Sequence, residues 1–582
     1  MSNKLVLWVF LFYPTAGYET INSGIYRQQC GDTCCNDSLL VFQEAFIMKT
    51  RRLRILAVAC ILLLGLLLYP HTLVRADGAG SSQQKLVLDA RGREPLSDGT
   101  GRFRVVQKKL EWDPKQTAII ICDMWNQHWC KGATSRVGEL APRMSEIVSK
   151  ARSIGILIVH APSDTVKFYK NHPARKQAQN APKAANLPGD ISKWCQWIDE
   201  KEETLGYPID HSDGGCDCQP MCKQGSPWRR QIEAIEIRNE DAISDLGVEV
   251  WNLLEQRGID NVIIMGVHTN MCVLGRPFGL RNMARYGKNV VLMRDMTDTM
   301  YNSRMHPFVS HFTGTDLIVE HVEKFVCPTI TSTVFTGQPQ FCFRNDKRPR
   351  VVFISAESEY KAEQTLPDFA HELKTKYGLY CEVLQGSTKK TGQERYYIAG
   401  MEALTNADLA VLFVRRRALP PEQMKYFRSY LNSGRPLIGL RTASHAFDTR
   451  GNAPDGFLEW QKLDPEVLGG NYHGHHGSGP RCTVTTAAGA DTHPILAGVK
   501  MPFTSDGSLY EVRPLTKSTK QLLIGTIPDK EPEPVAWTNS YRKSRIFYTS
   551  LGHPDDFKNA QFRRLLINAV FWAMNKPLPD QN

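Results

Sequence analysis

Cys272 closes the stretch Asn261-Val-Ile-Ile-Met-Gly-Val-His-Thr-Asn-Met-Cys272. The run Val262 to Met265, stopped by Gly266, has the pattern of a strand buried on both faces, and Leu274 to Tyr286 reads as the helix that follows. A cysteine at a helix start meets unpaired N–H groups and the positive end of the helix dipole, and both lower a thiol pKa. A second apolar run, Thr117-Ala-Ile-Ile-Ile-Cys-Asp123-Met-Trp-Asn126, ends in a carboxylate. Parallel strands present their C-terminal ends at one sheet edge, so Asp123 and Cys272 can meet there.

These residues resemble those of the isochorismatase-like cysteine hydrolases, the family of nicotinamidases and N-carbamoyl amidohydrolases. Asp123 with Asn126 is similar to the family's first-strand motif, and Gly266-Val-His-Thr-Asn-Met-Cys272-Val is similar to its nucleophile turn. The resemblance implies that Cys272 is the nucleophile, Asp123 its proton acceptor, and the N–H groups of Cys272 and His268 the oxyanion hole. It also implies a non-proline cis bond at Val267–His268, supported by Thr269 and Asn270. The family's third catalytic member is a lysine upstream of the cysteine, but here that region reads Ile235-Glu-Ile-Arg238-Asn-Glu-Asp241. Arg238 is the cation nearest the position: either a fixed charge for the thiolate, unable to shuttle a proton, or a surface partner of Glu236 or Glu240. The nicotinamidase metal motif does not match after Gly155-Ile-Leu-Ile-Val-His160, so no metal is expected there, and His160 reads as facing the same cleft. The activity implied is hydrolysis of an amide or carbamoyl-type C–N bond of a small molecule through a thioester.

A long insert, Thr165 to Ser226, carries Trp194, Trp197 and Cys216-Asp-Cys218-Gln-Pro-Met-Cys222, with Trp228 just beyond it. Inserts at α/β edges usually make substrate lids. The three cysteines are compatible with a disulfide-stapled lid, with free thiols, or with a metal site completed by Cys195 or His211.

A second α/β unit opens at Arg350-Val-Val-Phe-Ile-Ser355, with further strands at Cys381–Leu384, Leu409–Val414, Pro436–Leu440, Leu522–Thr526, Pro534–Thr538 and Arg545–Thr549. From Arg350 to Pro577 the chain resembles the trehalose-utilisation family, through Gly469-Gly-Asn-Tyr-His-Gly-His475, His493-Pro494, Glu533-Pro-Val-Ala-Trp-Thr and Ser550-Leu-Gly-His553. The resemblance implies a class I glutamine amidotransferase-like fold. The turn that would hold that fold's nucleophile reads Arg441-Thr-Ala-Ser-His445, with no cysteine, so glutamine hydrolysis is excluded. Arg441, His445, His475, His476 and His553 beside Asp506 would suit a divalent metal or sugar hydroxyls in one cleft. The competing reading is that glycine-rich loops merely expose these histidines, and His473 reads as a bystander.

The elements that would position these groups form two three-layer α/β units with mainly parallel sheets. In the first, strands are expected at Ala118–Cys122, Ile156–His160, Val262–Met265, Asn289–Met293 and Asp316–Val319. Residues 77–330 make the hydrolase-like unit, 331–349 a linker, and 350–577 the second unit, with a cut near Gly337 expected to leave both folded. Lys49-Thr-Arg-Arg-Leu-Arg54, the short apolar run Ile55–Tyr69 and Val74-Arg-Ala76 have the pattern of a secretory signal peptide over 48–76; the run is short for a stable membrane span, and an uncleaved anchor is the alternative. Translation is then expected to start at Met48, with 1–47 a non-native upstream extension, and the product to be secreted or periplasmic. Of 15 cysteines, eleven follow Ala76. The net charge of +11 is scattered in short runs, which argues against a nucleic-acid partner. The composite reading is an exported cysteine hydrolase with a carbohydrate-related second unit, compatible with homo-oligomerisation and with no established cofactor. The alternative is a carbohydrate-binding or scaffold protein whose hydrolase fold is inactive.

Overall fold

Alternation within buried apolar runs sets the architecture. In the computed structural model, which describes residues 85–96 and 100–580, the first sheet comprises β1 (Leu86–Pro95), β2 (Phe103–Trp112), β3 (Thr117–Cys122), β4 (Leu157–Ala161), β5 (Ala242–Ile243), β6 (Asn261–Val267), β7 (Asn289–Asp298) and β8 (Thr329–Ile330). Their order is β2-β1-β8-β7-β6-β3-β4-β5. The β1 strand is antiparallel to both neighbours, and all pairings from β8 to β5 are parallel. The expected extension and signal peptide lie outside the described residues.

Every residue of β3 and β6 is buried. Side chains alternate between faces with a period of two. Ile119, Ile121, Ile263 and Met265 pack against Val137, Leu140, Met144 and Ile147 of α1 (Lys131–Ser153). Ile120, Val262 and Ile264 pack on the opposite face against α2 (Gly247–Gln256), α3 (Leu280–Arg285) and α4 (His311–Phe325). Each fully buried aliphatic side chain contributes about 1.5–3 kcal/mol, so the strand ends that carry the chemistry rest on a rigid base.

Two expectations are corrected, and the segment expected as a linker has structure of its own. Asp316–Val319 is not a strand but lies inside α4, which Ser310 starts by accepting a hydrogen bond from the Thr313 N–H. The helix expected over Leu274–Tyr286 is broken before α3, where Pro277 cannot supply an N–H to a continuing helix. The segment 331–349 contains α5 (Thr333–Thr336) and is strapped down: Asp295 accepts from the Ser332 and Phe341 N–H groups, and Arg348 pairs with Asp316 at 2.6 Å. The β1–β2 hairpin was not anticipated.

The remaining strands are β9 (Arg350–Ala356), β10 (Tyr380–Gln385), β11 (Leu409–Val414), β12 (Leu437–Leu440), β13 (Gly474–His475), β14 (Cys482–Thr486), β15 (Phe503–Ser505), β16 (Tyr510–Glu511), β17 (Lys520–Thr526), β18 (Glu533–Tyr541) and β19 (Ser544–Thr549). Nine form a sheet in the order β10-β9-β11-β12-β19-β18-β17-β14-β15, while β13 and β16 pair separately. This sheet is parallel as far as β19 and antiparallel beyond it. One face packs on α6 (Ala362–Tyr377) and α8 (Ala560–Ala573), the other on α7 (Pro421–Asn432). A buried ion pair links the two sheets: Arg91, which also pairs with Glu323 of α4 at 2.7 Å, reaches Glu382 of β10 at 3.2 Å. Among the described residues, no helix is long and apolar enough to cross a membrane.

Candidate active site

The register of β3 and β6 brings Asp123 and Cys272 together. Cys122 aligns with Gly266, so both chains leave the sheet at the same edge. Only glycine fits at 266: its φ is +119°, and a Cβ there would lie 2.0 Å from the Cys122 carbonyl oxygen. Asp123 itself adopts φ +49°, an uncommon conformation for a residue with a side chain, which turns its carboxylate back over the strand end. The peptide Val267–His268 is cis, and Cys272 follows in a single wide turn over Thr269–Val273.

The turn is held from below. The Thr269 hydroxyl donates to the Asp298 carbonyl at 2.9 Å and contacts the Thr297 hydroxyl at 2.7 Å. Asn270 exchanges two 3.0 Å hydrogen bonds with the backbone of Met300. Asp298 is anchored by Arg136 and His311, which overcome burial and hold its carboxyl well below the usual range. Thr269 and Asn270 thus tie the turn to the end of β7 and the residues after it.

Asp123 is fully buried, and its Oδ1 accepts from the Ser163 N–H at 2.8 Å. Its Oδ2 is ion-paired with Arg276, whose Nε lies 3.4 Å away, and the carboxylate adjoins the Cys272 thiol. Arg276 follows Cys272 by one turn, its N–H donating to the Cys272 carbonyl at 3.0 Å. Burial raises the Asp123 carboxyl above its ordinary range, opposed by Arg276 and Ser163. Burial and the neighbouring Asp123 push the Cys272 thiol strongly upward, opposed by Arg276. The expectation of a lowered thiol pKa is thus reversed: the broken helix leaves Cys272 within a buried turn beside a carboxylate, and desolvation of the thiolate wins.

Arg238 is not at this site. Its exposed side chain donates to Glu236 at 2.8 Å, the surface alternative of the sequence reading, and the cation against Asp123 is Arg276. The signal for Arg276 was its i+4 spacing from Cys272, which puts the two side chains on one side of a helical turn. His160 does not face the cleft either. It is fully buried, with Nδ1 on Gln231 and Nε2 on Asp241. Asn126 lies beside the site as a brace, its Oδ1 accepting from the N–H groups of Arg229 and Arg230 at 3.1 and 3.2 Å. That brace presents Trp228, which stacks on Trp125 with ring centroids 4.6 Å apart and on His128 at 5.6 Å. His268 is buried against His128, and its imidazole is held neutral, with burial pushing its pKa down to about 3. From the insert, Trp194 covers the Arg276 guanidinium at 5.3 Å. A thiol, a carboxylate and the fixed cation paired with it thus converge under aromatic walls.

In the second sheet, Arg441 occupies the turn after β12 with φ +43°. Its guanidinium is buried, donating to the Ser550 carbonyl at 2.7 Å and the Ser508 hydroxyl at 3.1 Å, beside the Tyr360 ring at 4.2 Å. His445 and His475 line one cavity of about 590 Å³ with Arg416, Asp464 and Tyr472. His445 is buried and stacks on Tyr472 at 4.5 Å. Burial pushes the Asp464 carboxyl up to about 7, with the Tyr472 N–H donating to it at 2.7 Å. His553 and Asp506 do not line that cavity: His553 lies 3.4 Å from Asp555, and Asp506 pairs with Arg481 at 2.7 Å. Among the described residues the His and Asp ligand atoms expected in this cleft do not converge as a metal site; the group that does is Cys130, Cys216 and Cys218.

Residues 350–573 match the family described as "ThuA: Trehalose utilisation". No curated protein matches the chain significantly. Among solved structures, a ThuA-like protein from Parabacteroides merdae is 15% identical over 40% of this chain and 93% of its own, with a TM-score of 0.33. A cysteine hydrolase from Pseudomonas syringae pv. phaseolicola is 16% identical over 38% of this chain and 90% of its own, with a TM-score of 0.24. The N-carbamoylsarcosine amidase of Thermoplasma acidophilum is 12% identical over 37% and 96%, with a TM-score of 0.21. Likenesses this distant carry no argument about activity.

Proposed function

With a trehalose-utilisation domain at residues 350–573 as the premise for the second half, we propose that the first half is a cysteine hydrolase that cleaves an amide or carbamoyl-type C–N bond of a small molecule. The observation that carries this reading is the buried Asp123 carboxylate, whose Oδ2 is paired with Arg276 at 3.4 Å and stands beside Cys272.

The raised thiol pKa means that Cys272 rests as the protonated thiol. When a carbonyl substrate enters, the thiol proton passes to Asp123 Oδ2 as Sγ bonds to the carbonyl carbon. The oxygen becomes an oxyanion, for which the Cys272 and His268 N–H groups are the proposed donors. Collapse breaks the C–N bond, the amine leaves with the proton held by Asp123, and a thioester remains on Cys272. Water, deprotonated by Asp123, attacks the thioester; the acid departs and the thiol is restored. Arg276 cannot shuttle the proton, so its role is electrostatic: it faces Asp123 and offsets negative charge as Sγ ionises. The stacked walls of Trp125, Trp228 and His128 favour a substrate with a flat or apolar portion.

For the second half we read the cavity of His445, His475 and Asp464 as the place for a sugar or polyol, whose hydroxyls suit mixed donors and acceptors. The test of the first half is ammonia or amine release by the full chain from a panel of amides, carbamoyl amines and amino-sugar amides. Turnover of one class supports the reading, and turnover unaffected by Cys272→Ala would overturn it.

A further inference from the structure

Outside this site, the largest unused chemistry lies at the N-terminus of α1. Cys130 is the residue before that 23-residue helix, and the insert folds Cys216, Cys218 and Cys222 against it. The Sγ atoms of Cys130, Cys216 and Cys218 all lie within 4.8 Å of one another. Cys130 and Cys218 are 3.8 Å apart. A zinc ion with Zn–S bonds of about 2.3 Å in a tetrahedron requires an S···S edge of about 3.8 Å. Cys222 lies outside that mutual 4.8 Å group but at the same helix end, its Sγ accepting from the Lys131 N–H at 3.5 Å, while the Gly132 N–H donates to Cys218 at 3.3 Å. Such N–H donors at metal ligands spread thiolate charge and fix ligand orientation.

We propose that Cys130, Cys216, Cys218 and Cys222 form a tetrathiolate site for one structural zinc ion. Four sulfur ligands are the soft, closed set that zinc takes when it fastens a fold rather than activates water. Binding four thiols releases their protons, and the resulting negative charge lies beside Lys131 and near Arg304, which donates to the Cys218 carbonyl. Sequence spacing obscured the site because Cys130 lies far upstream of the other three, and only the return of the insert completes the set.

The site has a mechanical consequence. Gly215, next to Cys216, is pressed so closely on Met300 that a Cβ would sit 2.4 Å from its carbonyl carbon. Met300 is the residue that clamps Asn270, and Met271 packs against the cysteine cluster. The zinc would therefore fasten the insert to the turn that carries Cys272.

The test is zinc content of the full chain, purified without chelator or added metal, together with alkylation of denatured protein before and after reduction. The expected result is about one zinc per chain, with these four cysteines reduced and alkylated faster in the native protein once a chelator strips the metal. Cys216→Ser and Cys218→Ser are expected to lose the zinc, and cobalt replacement in the wild type to give thiolate-to-cobalt absorption. Metal-free protein with the four thiols reduced, two disulfides among them, or zinc retained in both serine variants would each overturn the proposal. The wild-type measurements stand even if a variant fails to fold. Zinc content is read without turnover, so the outcome is independent of the hydrolase reading.

Discussion

Two strand ends in this protein use the same backbone device for different purposes. After β3, Asp123 turns the chain with φ +49°; after β12, Arg441 does so with φ +43°. Both side chains are buried at the C-terminal edge of a parallel region. At the first, the carboxylate is paired with a guanidinium and shares its space with a thiol. At the second, the guanidinium donates to a carbonyl and a hydroxyl, and no cysteine stands in the turn. Sheet architecture supplies the place, and the side chains at the edge decide whether the place can break a bond or only hold a ligand.

The contrast predicts where substitutions bite. Asp123→Asn should lower kcat/KM roughly a thousandfold, because an amide cannot take the thiol proton. In the wild type, burial raises the Asp123 carboxyl, so kcat/KM should fall as pH drops through a value above the ordinary carboxylate range, which a pH–rate profile would read.

In the second half, the largest electrostatic effect should be on stability. Asp464 titrates near 7 in the fold and near 4 when unfolded, so it favours the folded state below about pH 4. That contribution is lost as pH rises through 7, a change of about 4 kcal/mol. Denaturant unfolding across this range should show the slope, and Asp464→Asn should flatten it.

Smaller effects separate the two arginines of the first half. Arg276→Ala should cost roughly a hundredfold in kcat/KM, comparable to the loss of one transition-state charge partner. Arg238→Ala should leave kinetics within about twofold, since exposed ion pairs contribute little. Equal losses in both variants would erase the distinction between them.

Much of this contrast was legible in the chain. The unbroken runs ending at Asp123 and Gly266 announced strands buried on both faces, and the polar residues after them marked the sheet edge. Asp-Leu-Ile-Val at 316–319 misled because four residues do not separate a buried strand from a buried helix; the Ser310 cap was the deciding signal. Arg276 escaped notice because the family pattern directed attention upstream, to Arg238. The β1–β2 hairpin was missed because its charged residues, such as Arg91 and Arg93, serve buried ion pairs rather than solvent. The cysteine cluster could not be read from spacing, since its fourth member is brought in by the fold.

The central claim is that Cys272 carries the bond-breaking step. The most direct measurement is the intact mass of the full chain, quenched in acid during turnover of an amide found in the screen, with the adduct mapped by peptide analysis. The account predicts an acyl adduct on Cys272, no adduct and no turnover in Cys272→Ala, and a folded variant. Turnover that persists in Cys272→Ala, or an adduct mapped to another residue, would contradict it.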